Sequence, residues 1–317
     1  MIESQRHNQQ AVPTKKSFAA LHHPGFRWFF IGNALAMMAD NIEHVISYWV
    51  IFNQFQSPTL AGFAVISHWV PFLLFSIWAG ALADKHDPRR VIQWGMYLFM
   101  LVSLAWGLLF FTDNLEVWHA VILLIVHGFA GVLWWPAAQI MIYNLIGRDQ
   151  LQSGVRLLAT SRTLGILLGP AVGGGLMIVL GPACGIVVNI LIYVPLVLWL
   201  WKTPYTSASR PDNAKHATPN MRGLADLIGT IQYLASMRTI ISMTLLAGGA
   251  SLFVGNAHHA QMPEFTLDLF PSDDGILYAI LLTASGIGAL TAGIVLESRS
   301  ILEPKPNTAF ILVFIWC

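Results

Sequence analysis

The stretch GALADKHDPRRVI, residues 80–92, packs Asp84, Lys85, Asp87, Arg89 and Arg90 into seven consecutive positions. Long apolar runs flank it on both sides. Only 10% of the 317 residues are charged, 56% are hydrophobic, and the mean hydropathy is +0.62. A soluble domain carries about 25% charged residues, so this composition reads as a polytopic membrane protein. In such a chain a short charged island between two membrane-length runs is a turn at the membrane surface.

Apolar runs of about 20 residues mark the spans, since that length crosses a hydrocarbon core of ~30 Å. They fall at Phe26–Phe52, Leu60–Ala83, Val91–Phe111, Trp118–Ile146, Leu157–Leu180, Ile186–Trp201, Thr239–His258 and Gly275–Leu296. A last run, Thr308–Cys317, covers about half a bilayer at 1.5 Å per residue. The expectation is eight helices and a fragment of a ninth, in a chain truncated at its C-terminus.

The basic residues sort by side. The N-terminal tail, the turns after even-numbered spans and the adjoining helix ends hold all 17 Lys and Arg residues. The alternate connections, Gln54–Pro58, Thr112–Leu115, Gly181–Gly185 and Glu264–Asp274, hold none. Lys and Arg bias sets topology, so the tail and the even turns are cytosolic and the cell's inner (plasma) membrane is the expected site. Residues 1–25 form a cytosolic tail rather than a signal peptide, because the run after them is too long for one. Residues 26–201 then form a six-helix bundle. Residues 202–237 form a cytosolic linker, rich in Pro, Ser, Thr and Asn, that ends in an amphipathic helix with Leu224, Leu227, Ile228, Ile231 and Leu234 on one face. Residues 238–317 form a partial second bundle. Gly80 precedes Asp84 by four at the end of span 2, and Gly293 precedes Glu297 by four at the end of span 8, an echo that suggests a parallel repeat.

The opening stretch resembles the signature between the second and third helices of the major facilitator superfamily, roughly G-x-L-A-D-R-x-x-R-R-x-V. Gly80, Leu82, Ala83, Asp84, Lys85, Arg89, Arg90 and Val91 match it. Asp87 and Pro88 depart, standing where glycine and a third basic residue are common. The resemblance implies that Gly80, Asp84, Lys85, Arg89 and Arg90 latch the helix bundles and gate their rocking without touching substrate. On span 5, GILLGPAVGGG places Gly165 and Gly169 four apart, followed by Pro170, Gly173 and Gly174. Small residues at that spacing let helices approach closely in lipid, and a proline can kink a helix. This stretch resembles the G-x-x-x-G-P-x-x-G-G motif of the superfamily's exporter branches. With GILYAILLTASGIGAL, it is similar to the branch that includes enterobactin exporters. The implied fold is an all-α polytopic protein of the major facilitator type, with a complete N-terminal six-helix bundle and a partial C-terminal one.

Span 1 carries the candidate chemistry. MMADNIEHVISYW puts Asp40, Glu43 and His44 on one helix face. Asp40 lies ~20 Å along the helix from Arg27, near the membrane midplane. Ionisable groups at that depth are costly and mark ion pathways, and a carboxyl removed from water can load and unload a proton. Asp40 and Glu43 are the proton-coupling candidates, with His44 as relay or modulator. Branch relatives often show Gly-Asp where this chain has Ala39-Asp40. Arg162 on span 5 either pairs with Asp40 or Glu43 or snorkels to the cytosolic edge. His68, His127, Trp134 and Trp135 are candidates for lining a substrate cavity, although lipid-facing filler is the plainer reading of the two tryptophans. His258 and His259 diverge by about 100° on a helix and do not make a metal site.

Two distant cysteines, Cys184 and Cys317, make neither a disulfide framework nor a zinc motif, and no nucleophile triad appears. No G-x-x-x-x-G-K-[ST] occurs, so this chain carries no phosphate loop for ATP. No enzyme activity, cofactor, metal or nucleic-acid partner is expected. The expected function is a secondary transporter, a proton-coupled exporter of a small amphiphilic, siderophore- or drug-like molecule. Its partners are that substrate, the bilayer and the proton gradient, and full-length protein is expected to be monomeric. The alternative is a non-transporting remnant or a membrane assembly or sensing partner.

Overall fold

The computed structural model describes residues 19–147, 150–203, 232, 235–270, 275–299 and 306–316. The N-terminal tail before residue 19, nearly all of the proposed amphipathic helix and Cys317 lie outside the described residues. Within them every regular element is helical. A short 3-10 turn, Ala19–His22, leads into α1 (Pro24–Phe55), α2 (Pro58–Lys85), α3 (Pro88–Thr112), α4 (Val117–Ile146) and α5 (Leu151–Lys202). Then come α6 (Arg238–Ala250), a π turn (Ser251–Gly255), α7 (Asn256–Leu269), α8 (Ile276–Arg299) and α9 (Pro306–Trp316).

Local chemistry sets the boundaries. Pro24, Pro58 and Pro88 stand in the first turns of their helices, where a missing N–H costs nothing. Ser57 caps α2 by accepting from the Leu60 N–H, and Asp87 caps α3 by accepting from the Arg89 N–H. The two departures from the signature, Asp87 and Pro88, are therefore the cap and first residue of α3. Gln56, Asp113 and Gly147 turn the chain out of α1, α3 and α4 with positive φ.

Spans 5 and 6 are two helices that meet at a kink and together make up α5. A helix of 52 residues is about 78 Å long at 1.5 Å per residue, far more than one crossing. It breaks at Gly181, where φ is 75° and ψ is 165° and Pro182 follows. The expected connection Gly181–Gly185 shrinks to that one residue, and Pro170 sits in unbroken helical backbone. The helical path of span 7 also outruns its apolar run, reaching Leu269 rather than His258. Hydropathy marks membrane depth, whereas a helix continues until backbone geometry stops it.

Among the described residues, four helical segments are long and apolar enough to cross a membrane: Pro58–Lys85, Pro88–Thr112, Val117–Ile146 and Ser153–Lys202. Large apolar side chains on the outer faces are open, with Leu73 81% and Val179 78% exposed, a surface suited to lipid and not to water. Inside, two apolar clusters stack along the bundle. One joins Phe26, Phe29, Met37, Met96, Phe99, Trp134, Met141 and Tyr193. The other joins Ile42, Ile46, Trp49, Val102, Trp106, Leu124, Ile186 and Tyr278. Along α1 the first ends at Ala39 and the second begins at Ile42. Along α3 the change falls between Phe99 and Val102, and along α4 between Ala130 and Leu124. The layer between them is polar.

Candidate functional site

Asp40 lies at the middle of α1, and Glu43 and His44 follow on the same face. His127, from α4, stands between the two carboxylates. Its Nδ1 is 2.7 Å from Glu43 Oε1, and its Nε2 is 2.9 Å from Asp40 Oδ1. The first contact is a hydrogen bond. The second is close but lacks hydrogen-bond alignment, so Asp40 Oδ1 and His127 Nε2 remain buried without a hydrogen-bond partner. The Ser103 hydroxyl, from α3, donates to Glu43 Oε2. His127 and Glu43 are 3% and 1% exposed and Ser103 is fully buried.

His44 and His68 complete the layer. His44 Nδ1 lies 4.0 Å from Asp40 Oδ2. The His44 ring centroid is 4.7 Å from that of His127 and 4.8 Å from that of His68, from α2. Ligand-capable atoms of Asp40, His44, His68 and His127 all lie within 4.8 Å of one another. Two features bring them together. Gly128, next to His127, lets α4 meet α2: a Cβ there would stand against the Ser67 carbonyl and 3.2 Å from the His68 Cα. Asn189, on the second limb of α5, donates to the Ala39 carbonyl at 2.9 Å and fixes the backbone beside Asp40.

The other predicted residues occupy different surroundings. Arg162 forms no ion pair with Asp40 or Glu43 among the described residues. Its guanidinium lies 5.1 Å from the centre of the Trp135 ring, and the side chain is exposed. Trp134 is not lipid-facing filler: it is 2% exposed, and its indole N–H donates to Asn33 Oδ1 at 3.1 Å. Asn33 in turn donates to Ser161 at 2.8 Å. Burial of an indole N–H needs such a partner, which a hydropathy profile does not reveal. His258 is exposed on α7.

On α5, Gly165, Gly169 and Gly173 face α1 at Met37, Asn41 and Ile42, and Gly174 faces Ala279 of α8. Gly80 behaves differently. Nothing lies within 4 Å of where its Cβ would stand, so no close helix approach occurs there among the described residues. Asp84 is half-buried, while Lys85 and Arg90 are exposed. Arg89 pairs with Asp87 at 2.6 Å and donates to the Thr203 carbonyl just past α5, tying the charged turn to the end of the first bundle.

The sequence model of a family described as transmembrane secretion effector matches residues 15–305. A staphyloferrin A transporter of Staphylococcus aureus is 21% identical over 271 residues, which is 85% of this chain and 66% of the relative. The probable transport protein HsrA of Haemophilus influenzae is 29% identical over 107 residues, 34% of this chain and 21% of the relative. The chain thus spans less than two thirds of the curated relatives it matches. Among solved structures, a bacterial homologue of the human lysosomal transporter Spinster superposes with a TM-score of 0.63 and 15% identity. That match covers 92% of this chain and 71% of the other.

Proposed function

This chain belongs to the transmembrane secretion effector family of the major facilitator superfamily, a family of transporters and not of enzymes, and from that premise we propose that it exports a small amphiphilic molecule by alternating access, driven by the proton gradient. It is a multi-pass membrane protein. The proposal places it in the inner membrane with a cytosolic N-terminus, supported by the one-sided distribution of its 17 basic residues. Residues 26–201 act as one six-span unit and residues 238–317 belong to its counterpart.

The observation that carries the reading is the polar layer sealed between two apolar clusters. Uncompensated charge at that depth is costly, so such groups mark ion pathways. Asp40 and Glu43 are the coupling groups, His44 and His127 the groups that pass charge between them, and Arg162 an outlying cation on the same route. Export, rather than import, rests on the α5 glycine motif and on the family's description. A siderophore-like substrate is supported by the staphyloferrin A relative. Gly80, Asp84, Lys85, Arg89 and Arg90 form the gating turn, with the Arg89 bond to Thr203 as its anchor.

The test is transport by the full-length chain in proteoliposomes under an imposed pH gradient. Asp40→Asn is expected to insert normally and to lose gradient-driven efflux. Undiminished efflux would sink the coupling assignment.

A further inference from the structure

We propose that Asp40, His44, His68 and His127 form a binding site for a divalent transition metal of the zinc type. Three imidazoles and one carboxylate, drawn from α1, α2 and α4, are a donor set suited to Zn²⁺ or Co²⁺ and ill suited to Mg²⁺ or Ca²⁺, which take oxygen ligands. The ligand-capable atoms lie within 4.8 Å of one another. Metal–ligand bonds of about 2.0–2.2 Å require a tetrahedral set to sit about 3.4 Å apart, so each side chain moves by less than about 1 Å.

Three observations point to a ligand rather than to a self-sufficient hydrogen-bonded core. First, the polar atoms of the set are incompletely satisfied: His68 Nδ1 is buried without a hydrogen-bond partner among the described residues, and Asp40 Oδ1 and His127 Nε2 meet each other at 2.9 Å without hydrogen-bond alignment. His127 itself is 3% exposed. Buried polar atoms without aligned hydrogen bonds are costly, and a bound cation would satisfy all three of these. Second, His127 has the support a metal-bound imidazole uses. Its Nδ1 is hydrogen-bonded to Glu43, and Glu43 is held by Ser103, which turns Nε2 toward Asp40, 2.9 Å from its Oδ1. Third, charge balances. Asp40 and Glu43 together can offset a dication inside an apolar bundle, with the imidazoles neutral.

The site stands on this donor geometry and does not require the transport reading, although it shares Asp40 with it. The experiment is cobalt titration of the full chain in detergent, purified without a polyhistidine tag, followed by the visible bands of tetrahedral Co²⁺ and by competition with Zn²⁺. Wild type is expected to saturate with a single ion per chain. His68→Ala and His44→Ala, both at half-buried positions, are expected to lose the tetrahedral spectrum. Glu43→Gln is expected to weaken binding by about 10–100-fold. His119→Ala, on α4 but two turns from His127, is expected to bind as wild type. Absence of a saturable tetrahedral spectrum, or its persistence in His68→Ala, overturns the site. Cobalt binding with efflux unaffected by Asp40→Asn leaves the metal site and overturns the coupling role. Efflux that depends on Asp40 without cobalt binding does the reverse.

Discussion

His127→Ala is the most informative perturbation of the polar layer. His127 is the only side chain that touches both Asp40 and Glu43 at hydrogen-bonding distance among the described residues. Removing it strands two carboxylates in positions that are 6% and 1% exposed. Deleting the partner of a buried carboxylate costs about 3–5 kcal/mol, because the remaining charge keeps its desolvation penalty. For a chain of this length each kcal/mol lowers the unfolding midpoint by about 2 °C, so the loss is roughly 6–10 °C. Thermal unfolding of the detergent-solubilised protein, followed by far-UV circular dichroism, measures it. A double variant separates stranded charge from a simple cavity. Adding Glu43→Leu to His127→Ala removes one of the stranded carboxylates and is expected to recover about 1–3 kcal/mol. A midpoint drop below about 2 °C in the single variant, or a further drop in the double variant, would refute the claim that His127 compensates the carboxylates.

Two glycine substitutions test the frame around this layer by the same unfolding assay. Gly181→Ala places a side chain at φ 75°, ψ 165°, a region nearly exclusive to glycine, and is expected to cost about 1–3 kcal/mol although the surrounding space is open. Gly175→Ala, also in open space but at ordinary φ, is the control and is expected to be neutral or slightly stabilising. Gly169→Leu drives a side chain into Asn41 of α1, 3.2 Å from the Met38 carbonyl at its Cβ, and is expected to destabilise by about 1–3 kcal/mol or more. Gly288→Leu on α8, with nothing within 4 Å, is expected to be tolerated.

The fold was legible wherever it depended on local chemistry. Apolar run length located the crossings, and charge at Asp84–Arg90 located a turn that the structure builds from Asp87 and Pro88. The break at Gly181 was readable as a gap but not as a single residue, since hydropathy averages over the position that carries the φ. The site was half legible. Asp40, Glu43 and His44 share a face by helical spacing alone. Their partners do not. His127, His68 and Ser103 lie 24 to 83 residues from the nearest α1 residue they touch or approach, and their convergence depends on how α2, α3 and α4 pack. Metal motifs are recognised in sequence by close spacing of donors, so a set drawn from three helices gives no such pattern. The one local clue was Gly128 beside His127, and its meaning is visible only where the Ser67 carbonyl meets it.

The distribution of polar and small residues separates two tasks. Every charged or imidazole side chain of the central layer comes from α1, α2 or α4, with Ser103 of α3 behind them. All of these helices lie in the first bundle. The contact with the second group is of another kind: Gly174 against Ala279, Gly286 against Leu167, and Trp49 stacked on Tyr278 at 5.8 Å. In lipid, small residues give close approach without the directional bonds that would fix one register. A polar layer held by hydrogen bonds inside one unit can keep its geometry while that unit shifts against a smooth neighbour. A seam crossed by ion pairs would instead have to break them at each shift. Placing the bonded polar layer inside α1–α4, and the glycines and aromatic rings at the α5–α8 seam and the Trp49–Tyr278 contact, is the arrangement that the proposed alternating access requires.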